Sequence, residues 1–277
     1  MKIHPSAVVE SGARIGSGVE IGPHAYVGPH VAIGNDCTIG HGCHLSGRVT
    51  MGCNNILGPH VVVGTPPQDL KHHGNSTEIL IGDDNVIREF ATINTGSSTG
   101  SGVTRIGHRN YLMIFSHVGH DCVVEDETIL VNGVLLGGHC HVESGAKLMG
   151  GAALNPFVTV GTQAYVGGLS RIVHDVPPYM IVEGNPARVR GVNEVGLQRS
   201  GYDRQVIEEL WGAYKAIYRT RELNRSPIYE MLQARPGVHA ETVNLVEFLR
   251  RSQKGVHGRY LESLRANARR PSEQNGA

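Results

Sequence analysis

Aliphatic residues recur every six positions through most of this chain, and that period rules out most folds at once. Ile3, Val9, Ile15, Ile21, Val27, Ile33, Ile39, Leu45, Met51, Leu57 and Val63 share one register, which resumes at Ile81, Ile87 and Ile93. After a second interruption it restarts at Ile106 and holds to Ile172. Six does not fit a helix of about 3.6 residues per turn, but it suits a short strand plus a turn. The aliphatic residue is expected to point into a narrow interior. Four positions on stands a small residue, among them Ala7, Ala13, Cys37, Cys43, Cys122, Cys140 and Ala152, expected to fill a corner where nothing larger fits. Four of the five cysteines stand there, so they read as packing residues rather than reactive thiols. Glycine commonly follows the aliphatic residue, as in "IGPHAYVGPHVAIGNDCT", and is expected to take the turn conformation.

This pattern resembles the hexapeptide-repeat proteins, which implies an all-β left-handed parallel β-helix with three hexapeptides per coil. Residues 3–175 then make about nine or ten coils, stacked at the strand spacing of about 4.8 Å. The β-helix is assigned to residues 1–186, with loop insertions at 65–78 ("TPPQDLKHHGNSTE") and 95–104 ("TGSSTGSGVT"). Loops on a scaffold that otherwise keeps strict count are expected to carry function. Residues 187–277 read as a C-terminal α-helical domain. Val206, Leu210, Tyr214 and Ile217 recur at helical spacing within 202–220. Residues 226–235 and 239–252 read as two further helices, the first with Ser226 as cap and Pro227 in its first turn. The tail from about Glu262 has a composition that predicts little order.

Charge divides along the same line. Residues 186–277 carry 16 Lys/Arg against 10 Asp/Glu, and residues 1–185 carry 9 against 15, although the whole chain is neutral. The basic C-terminal part is expected either to meet an acidic partner or simply to present a solvated helical face. The first residues, "MKIHPSAVVE", lack the apolar stretch of a signal peptide, and no run approaches a membrane span. A cytoplasmic protein with no membrane insertion and no nucleic-acid partner is expected. The cysteine spacing suggests no disulfide framework.

The stretch "FSHVGHDC" (115–122) is where chemistry is expected. Adding one coil of about 18 residues carries His120 to Gly138 and Asp121 to His139. One coil further lie Pro156 and Phe157, with Asn155 beside them. His120, Asp121, Gly138 and His139 should therefore cluster, with His117 near the same edge. Three readings compete: exposed polar positions, a metal site, and acid–base work by His120 oriented by a carboxylate. Carbonic anhydrases of the same fold pair histidines five apart, and no two histidines here have that spacing. No metal and no cofactor is expected.

"QDLKHHG" (68–74), "HVGHDC" (117–122), "LGGH" (136–139), "DVPPY" (175–179), "EGNPA" (183–187) and "GVNEVGLQRSGY" (191–202) come in an order that resembles one enzyme family. That family is the acyl carrier protein-dependent UDP-N-acetylglucosamine O-acyltransferases of lipid A biosynthesis, and the resemblance covers nearly the whole chain. It implies His120 as general base toward the sugar 3-hydroxyl, Asp121 as its support, and the Gly138 N–H as oxyanion donor. It also implies that His117, His139 and Asn155 line the site and that Gln68, Asp69 and Lys71 reach it from the first insertion. Asn193 and Arg199 then bind nucleotide. A 3-hydroxyacyl chain on acyl carrier protein is the implied donor, and a homotrimer with sites between subunits the implied assembly. The position that gauges acyl length in the family is matched by Gly168, which implies donors of about 14 carbons over about 10, at about 0.8 kcal/mol per buried CH₂.

The chain departs from the family where Asn94, Asn155, Pro156, Val195 and Ser200 stand. These positions shape the acceptor pocket, so they bear on the acceptor more than on the reaction. A 3-amino sugar, another nucleotide sugar, or a non-catalytic nucleotide-sugar-binding trimer are the alternatives.

Overall fold

The computed structural model describes residues 1–74, 76–220 and 224–268. Short strands follow one another around three parallel sheets, one strand to each sheet per coil. Sheet 1 holds eleven strands beginning with Lys2–Ile3, sheet 2 nine beginning with Val8–Val9, and sheet 3 eight beginning with Arg14–Ile15. Glu20 pairs with Thr38 and His117 with Leu135, the one-coil step inferred from the repeat. The architecture is a left-handed parallel β-helix with a helical C-terminal part.

From Ile21 onward the aliphatic positions are buried, and so are Cys37, Cys43, Cys122 and Cys140 at the small positions. Ile3 is 37% exposed, against the expectation for its position, because no coil lies beneath the first one. The glycine after the aliphatic residue has a different reason from the one expected. Gly34 does not adopt a left-handed φ; instead, a Cβ on it would lie 2.5 Å from the backbone carbonyl carbon and oxygen of Gly52 on the next coil. The left-handed positions come two residues later and are often not glycine: Phe90, Phe115, Asp121, His139 and Phe157 all hold φ near +60°. Such a conformation costs most side chains about 1–2 kcal/mol, and the interlocking coils enforce it.

Both insertions leave from sheet 2, after Val62–Thr65 and Thr92–Asn94, and return to sheet 3 at Glu78–Ile81 and Val103–Ile106. They therefore stand at one corner on neighbouring coils. The corner above them is His120–Asp121.

Sheet 1 ends in a hairpin of Met180–Gly184 and antiparallel Ala187–Val192, so the boundary expected after residue 186 falls in its turn. Helices α1 (Glu194–Arg199), α2 (Arg204–Tyr218), α3 (Ser226–Gln233), α4 (Ala240–Gln253) and α5 (Tyr260–Ala268) follow. Val206, Leu210, Tyr214 and Ile217 are buried in a second core that also takes in Tyr179, Met180 and Val192. Ser226 is not the cap of α3 but its first helical residue, and the Asn224 side chain accepts its N–H at 3.1 Å. Helix α5 corrects the expectation of little order from Glu262: a helix runs to residue 268, and the rest of that tail lies outside the described residues. No helix of the described residues is long and apolar enough to cross a membrane.

These contacts separate two glycines that composition treats alike. Gly34→Ala must push against the next coil's backbone and is expected to cost about 1–3 kcal/mol. Gly212→Ala, in the middle of α2 with nothing within 4 Å of the new Cβ, is expected to gain about 1 kcal/mol. Thermal unfolding of both variants checks the contrast, and equal shifts would contradict it.

Candidate active site

The corner between sheets 2 and 3 stacks one layer of side chains per coil. The His139 N–H donates to the His120 carbonyl at 2.8 Å, and the Phe157 N–H donates to the Gly138 carbonyl at 3.1 Å. These bonds set His120 and Asp121 beneath Gly138 and His139, with Phe157 above, as coil arithmetic implied.

Asp121 is the anchor. Its side chain is 1% exposed. Oδ2 accepts from the Ser97 N–H at 3.0 Å and hydroxyl at 2.6 Å; Oδ1 accepts from the Ser101 hydroxyl at 3.1 Å and the Gly102 N–H at 2.9 Å. Its own N–H donates to Thr104 Oγ1 at 2.9 Å. Burial pushes the carboxyl up, but hydrogen bonds from His120 and Ser97 outweigh it and hold the group well below the usual carboxylate range. All of Ser97, Ser101 and Gly102 belong to the second insertion, so that loop exists in part to bury and hold this charge. Gly100 completes the fit: a Cβ there would lie 2.4 Å from the carboxylate.

An ionised Asp121 sets the tautomer of His120. His120 Nδ1 lies 2.8 Å from Asp121 Oδ2, and a carboxylate can only accept, so Nδ1 carries the proton. Nε2 is left with a free lone pair. It points at Gly138, where a Cβ would stand 2.5 Å from Nε2. Glycine is therefore required at 138 to leave the basic nitrogen open. Among the described residues the Gly138 N–H donates to nothing.

His139 meets His120 edge-on, with ring centroids 4.9 Å apart, and its Nδ1 lies 3.8 Å from Asp121 Oδ2. Burial pulls its pKa down to about 4, so it is neutral near pH 7. His117 is held by Thr92, with Nδ1 2.8 Å from Oγ1, and burial, aided by the charge of His120, lowers its pKa as well.

The first insertion folds over the second. Thr99 Oγ1 donates to Asp69 at 3.2 Å, the Ser98 N–H donates to His72 Nδ1 at 3.2 Å, and the His73 N–H donates to Ser98 Oγ at 3.0 Å. This brings Asp69 close enough to feel the charge of His120, with Gln68 and Lys71 exposed beside it. Asn94 donates to Thr65 Oγ1 at 2.9 Å and to the Pro66 carbonyl at 3.1 Å, so it pins the start of that loop. Its Oδ1 is buried without a partner among the described residues.

Other candidates lie elsewhere. Asn155 follows its sheet 2 strand on the coil above, beside Phe157. Gly168 is exposed at the corner between sheets 1 and 2; its φ is not left-handed, so a tight turn is not what requires glycine there. Asn193 and Arg199 stand by the corner between sheets 3 and 1. The Asn193 side chain is spent within the chain, donating to the Gln163 carbonyl at 2.8 Å and accepting from the Gly196 N–H at 3.3 Å. It caps α1, which carries the exposed Arg199 in its last turn. One chain thus does not bring Arg199 to His120. Sequence reasoning missed Ser97, Ser101 and Thr104; the Ser/Gly-rich loop showed donors, but not that a carboxylate was their target.

His120, Asp121 and His139 also bring three ligand-type atoms within 4.8 Å of one another. Both Asp121 oxygens, however, are already filled by hydrogen-bond donors, and Nδ1 of His120 is one of them. A cation would have to break that set, which describes an oriented base better than a metal cage.

The chain and its fold have close relatives. Residues 175–257 match the family described as UDP N-acetylglucosamine O-acyltransferase, domain 2. The acyl-[acyl-carrier-protein]–UDP-N-acetylglucosamine O-acyltransferase of Anaeromyxobacter sp. strain Fw109-5 is 48% identical over 256 residues, covering 92% of this chain and 99% of that one. The enzyme of the same name from Verminephrobacter eiseniae is 43% identical, covering 92% and 98%. The crystal structure of the UDP-N-acetylglucosamine acyltransferase from Bacteroides fragilis superposes with a TM-score of 0.86 at 33% identity, covering 89% of this chain and 96% of that one. The Moraxella catarrhalis enzyme gives 0.86 at 34%, with the same coverage. The chain is an acyltransferase and belongs to the acyl-[acyl-carrier-protein]–UDP-N-acetylglucosamine O-acyltransferase family.

Proposed function

We propose that the chain transfers a 3-hydroxyacyl group from acyl carrier protein to the 3-hydroxyl of UDP-N-acetylglucosamine, with His120 as general base. The observation that carries this reading is the open Nε2 of His120 beside the Gly138 N–H, which has no partner among the described residues. Nε2 takes the hydroxyl proton as the sugar oxygen attacks the thioester carbonyl carbon. The carbonyl oxygen becomes an oxyanion, which the Gly138 N–H can meet. Asp121 stabilises the imidazolium that forms without taking its proton. Collapse of the intermediate expels the carrier thiolate, and His120 returns the proton to sulfur. An acyl-enzyme is not needed. Cys122 and Ser116 flank the base but are buried inward, and burial raises the Cys122 thiol further. Carrier-bound donor and nucleotide sugar are both cytoplasmic species, so this reading places the enzyme in the cytoplasm.

His120→Ala is expected to lower turnover by about 10² to 10⁴ while leaving the fold intact. Rates with carrier-bound 3-hydroxyacyl donors and with 3-hydroxyl or 3-amino acceptors check this. Retention of most activity would remove His120 from the chemistry. The open corner at Gly168 favours donors of about 14 carbons over about 10 in the same assay.

Arg199 stands at a different corner from His120, so a site using both needs two chains. A homotrimer with sites between subunits supplies them. Mixing unfolded His120→Ala and Arg199→Ala chains and refolding them together should restore activity, since about a quarter of the sites then join two intact residues. Each variant refolded alone stays impaired, and no recovery in the mixture would confine the site to one chain.

The donor protein has a surface to meet. Arg188, Arg190, Arg219 and Arg225 ring a groove of about 440 Å³ with Tyr214 and Tyr218 at its base. The guanidinium groups of Arg219 and Arg225 lie over the Tyr214 and Tyr218 rings, at 5.7 and 5.5 Å. Such a groove suits an acidic protein. Arg219→Ala and Arg225→Ala should raise KM for the carrier-bound donor and not for the nucleotide sugar. Raising salt to about 1 M, where the Debye length is about 3 Å, should do the same in the parent enzyme. A donor KM indifferent to both would place docking elsewhere.

A further inference from the structure

Helix α5 begins at Tyr260, beyond residue 257 where the family match ends. The Anaeromyxobacter relative is matched over 99% of its own length while 8% of this chain stays unmatched. Helix α5 is fixed to the β-helix rather than trailing from it. The Asp175 N–H donates to the Gly258 carbonyl at 2.9 Å, and the Tyr260 N–H donates to Asp175 Oδ2 at 2.9 Å. Asp175 Oδ1 meanwhile accepts the Thr159 N–H at 2.8 Å, so one carboxylate joins the helix start to the coil above the site. Arg259 Nη1 donates to the Val173 carbonyl at 2.8 Å and is paired with Glu262.

So anchored, α5 sets Arg265 over Phe157, with the guanidinium carbon 5.2 Å from the ring centroid. Phe157 stacks flat on His139 at 4.3 Å and 6°, and His139 meets His120 edge-on. Nε of Arg265 is buried with no hydrogen-bond partner among the described residues. No ion pair of Arg265 occurs among them either. A cation held partly out of water without a carboxylate costs stability, so its place calls for a use.

We infer that α5 is a working part of this active site, with Arg265 a positioning residue that acts through Phe157 on His139 and keeps Asp121 paired with His120 alone as the pH falls. His120 and His139 both face Asp121 Oδ2, at 2.8 and 3.8 Å. A protonated His139 would compete for that oxygen and repel the imidazolium that His120 must become. The charged groups around His139 are Asp121 and Asp69, which favour its protonation, and His120 and Arg265, which oppose it; burial opposes it most. Arg265 is the one fixed cation of the four, and two rings separate it from His120. It therefore acts on His139 more than on the base.

The inference rests on the assignment of His120 as base, and its test separates the two. Arg265→Met keeps bulk and removes charge, and Arg265→Lys restores charge; both are made in the full-length enzyme. Imidazole NMR of the substrate-free protein should show His139 holding its proton to a pH higher by about half a unit to one unit in Arg265→Met. The acid limb of kcat/KM should move up with it, because loss of a nearby positive charge favours protonation. Arg265→Lys should return both toward the parent values. If Arg265→Met fails to fold, Arg265→Gln makes the same removal of charge with a polar side chain. An unmoved His139 titration would overturn the inference, as would equal activity loss at every pH, the mark of packing alone. A moved titration with an unchanged pH–rate profile would also overturn it. Retained activity in His120→Ala would instead fail the base assignment and leave the NMR result standing.

Discussion

Backbone hydrogen bonds between successive coils hold the layers of this molecule at one spacing, and the rest of the structure adapts to it. Below the closing hairpin the strands run to only two to four residues, too short to be stable singly, so each coil depends on the one above and below. The spacing leaves no room for a Cβ at Gly34 or Gly137, whose neighbours are the backbone of the next coil. It also forces the corner residues into the left-handed region, whether or not they are glycine. The interior stays too narrow for anything but one aliphatic residue per side and a small one near each corner.

The same stacking builds the site. Residues far apart in sequence become vertical neighbours, and a corner becomes a column: Asp121, His139, Phe157. Left-handed backbone at Asp121 and His139 is the cost of the corner, and those two residue types tolerate it better than most. The insertions can grow only where a strand ends, and both do so at this corner. They supply donors that let a fully buried carboxylate stay ionised. That charge then decides which nitrogen of His120 holds the proton. A scaffold rule, one layer per coil, thus ends in a defined tautomer.

The C-terminal helices obey different physics. They bury an amphipathic stripe against one another and against the last coil through Tyr179, Met180 and Val192. His239, at the start of α4, makes no side-chain cap but pairs with Glu209 at 2.7 Å, tying α4 to α2, and Asn244 donates to the Tyr179 hydroxyl at 3.0 Å to tie α4 to the β-helix. The helices close the open end of the solenoid, present Arg199 and the arginine groove outward, and carry α5 back over the histidine column.

By itself the sequence determined the period, and with it the coils, the buried aliphatic and cysteine positions, and the meeting of His120, Asp121, Gly138 and His139. A strict repeat makes distance in space a simple function of distance in sequence, so these needed no folding calculation. It did not determine why glycine follows each aliphatic residue, since a clash with the next coil is invisible in a single hexapeptide. Nor did it reveal that Ser97, Ser101 and Gly102 close on Asp121, because loops follow no period. Short α1 and the terminal α5 escaped for a related reason. Six and nine residues give too little periodicity to read, and their stability comes from a cap at Asn193 and an anchor at Asp175. Only the tertiary structure decided that Asn193 caps α1 with one end of its side chain and ties it to the β-helix with the other, and that Arg265 returns to the site. Those contacts join a non-repeating segment to a repeating one, where counting along the chain no longer predicts what touches what.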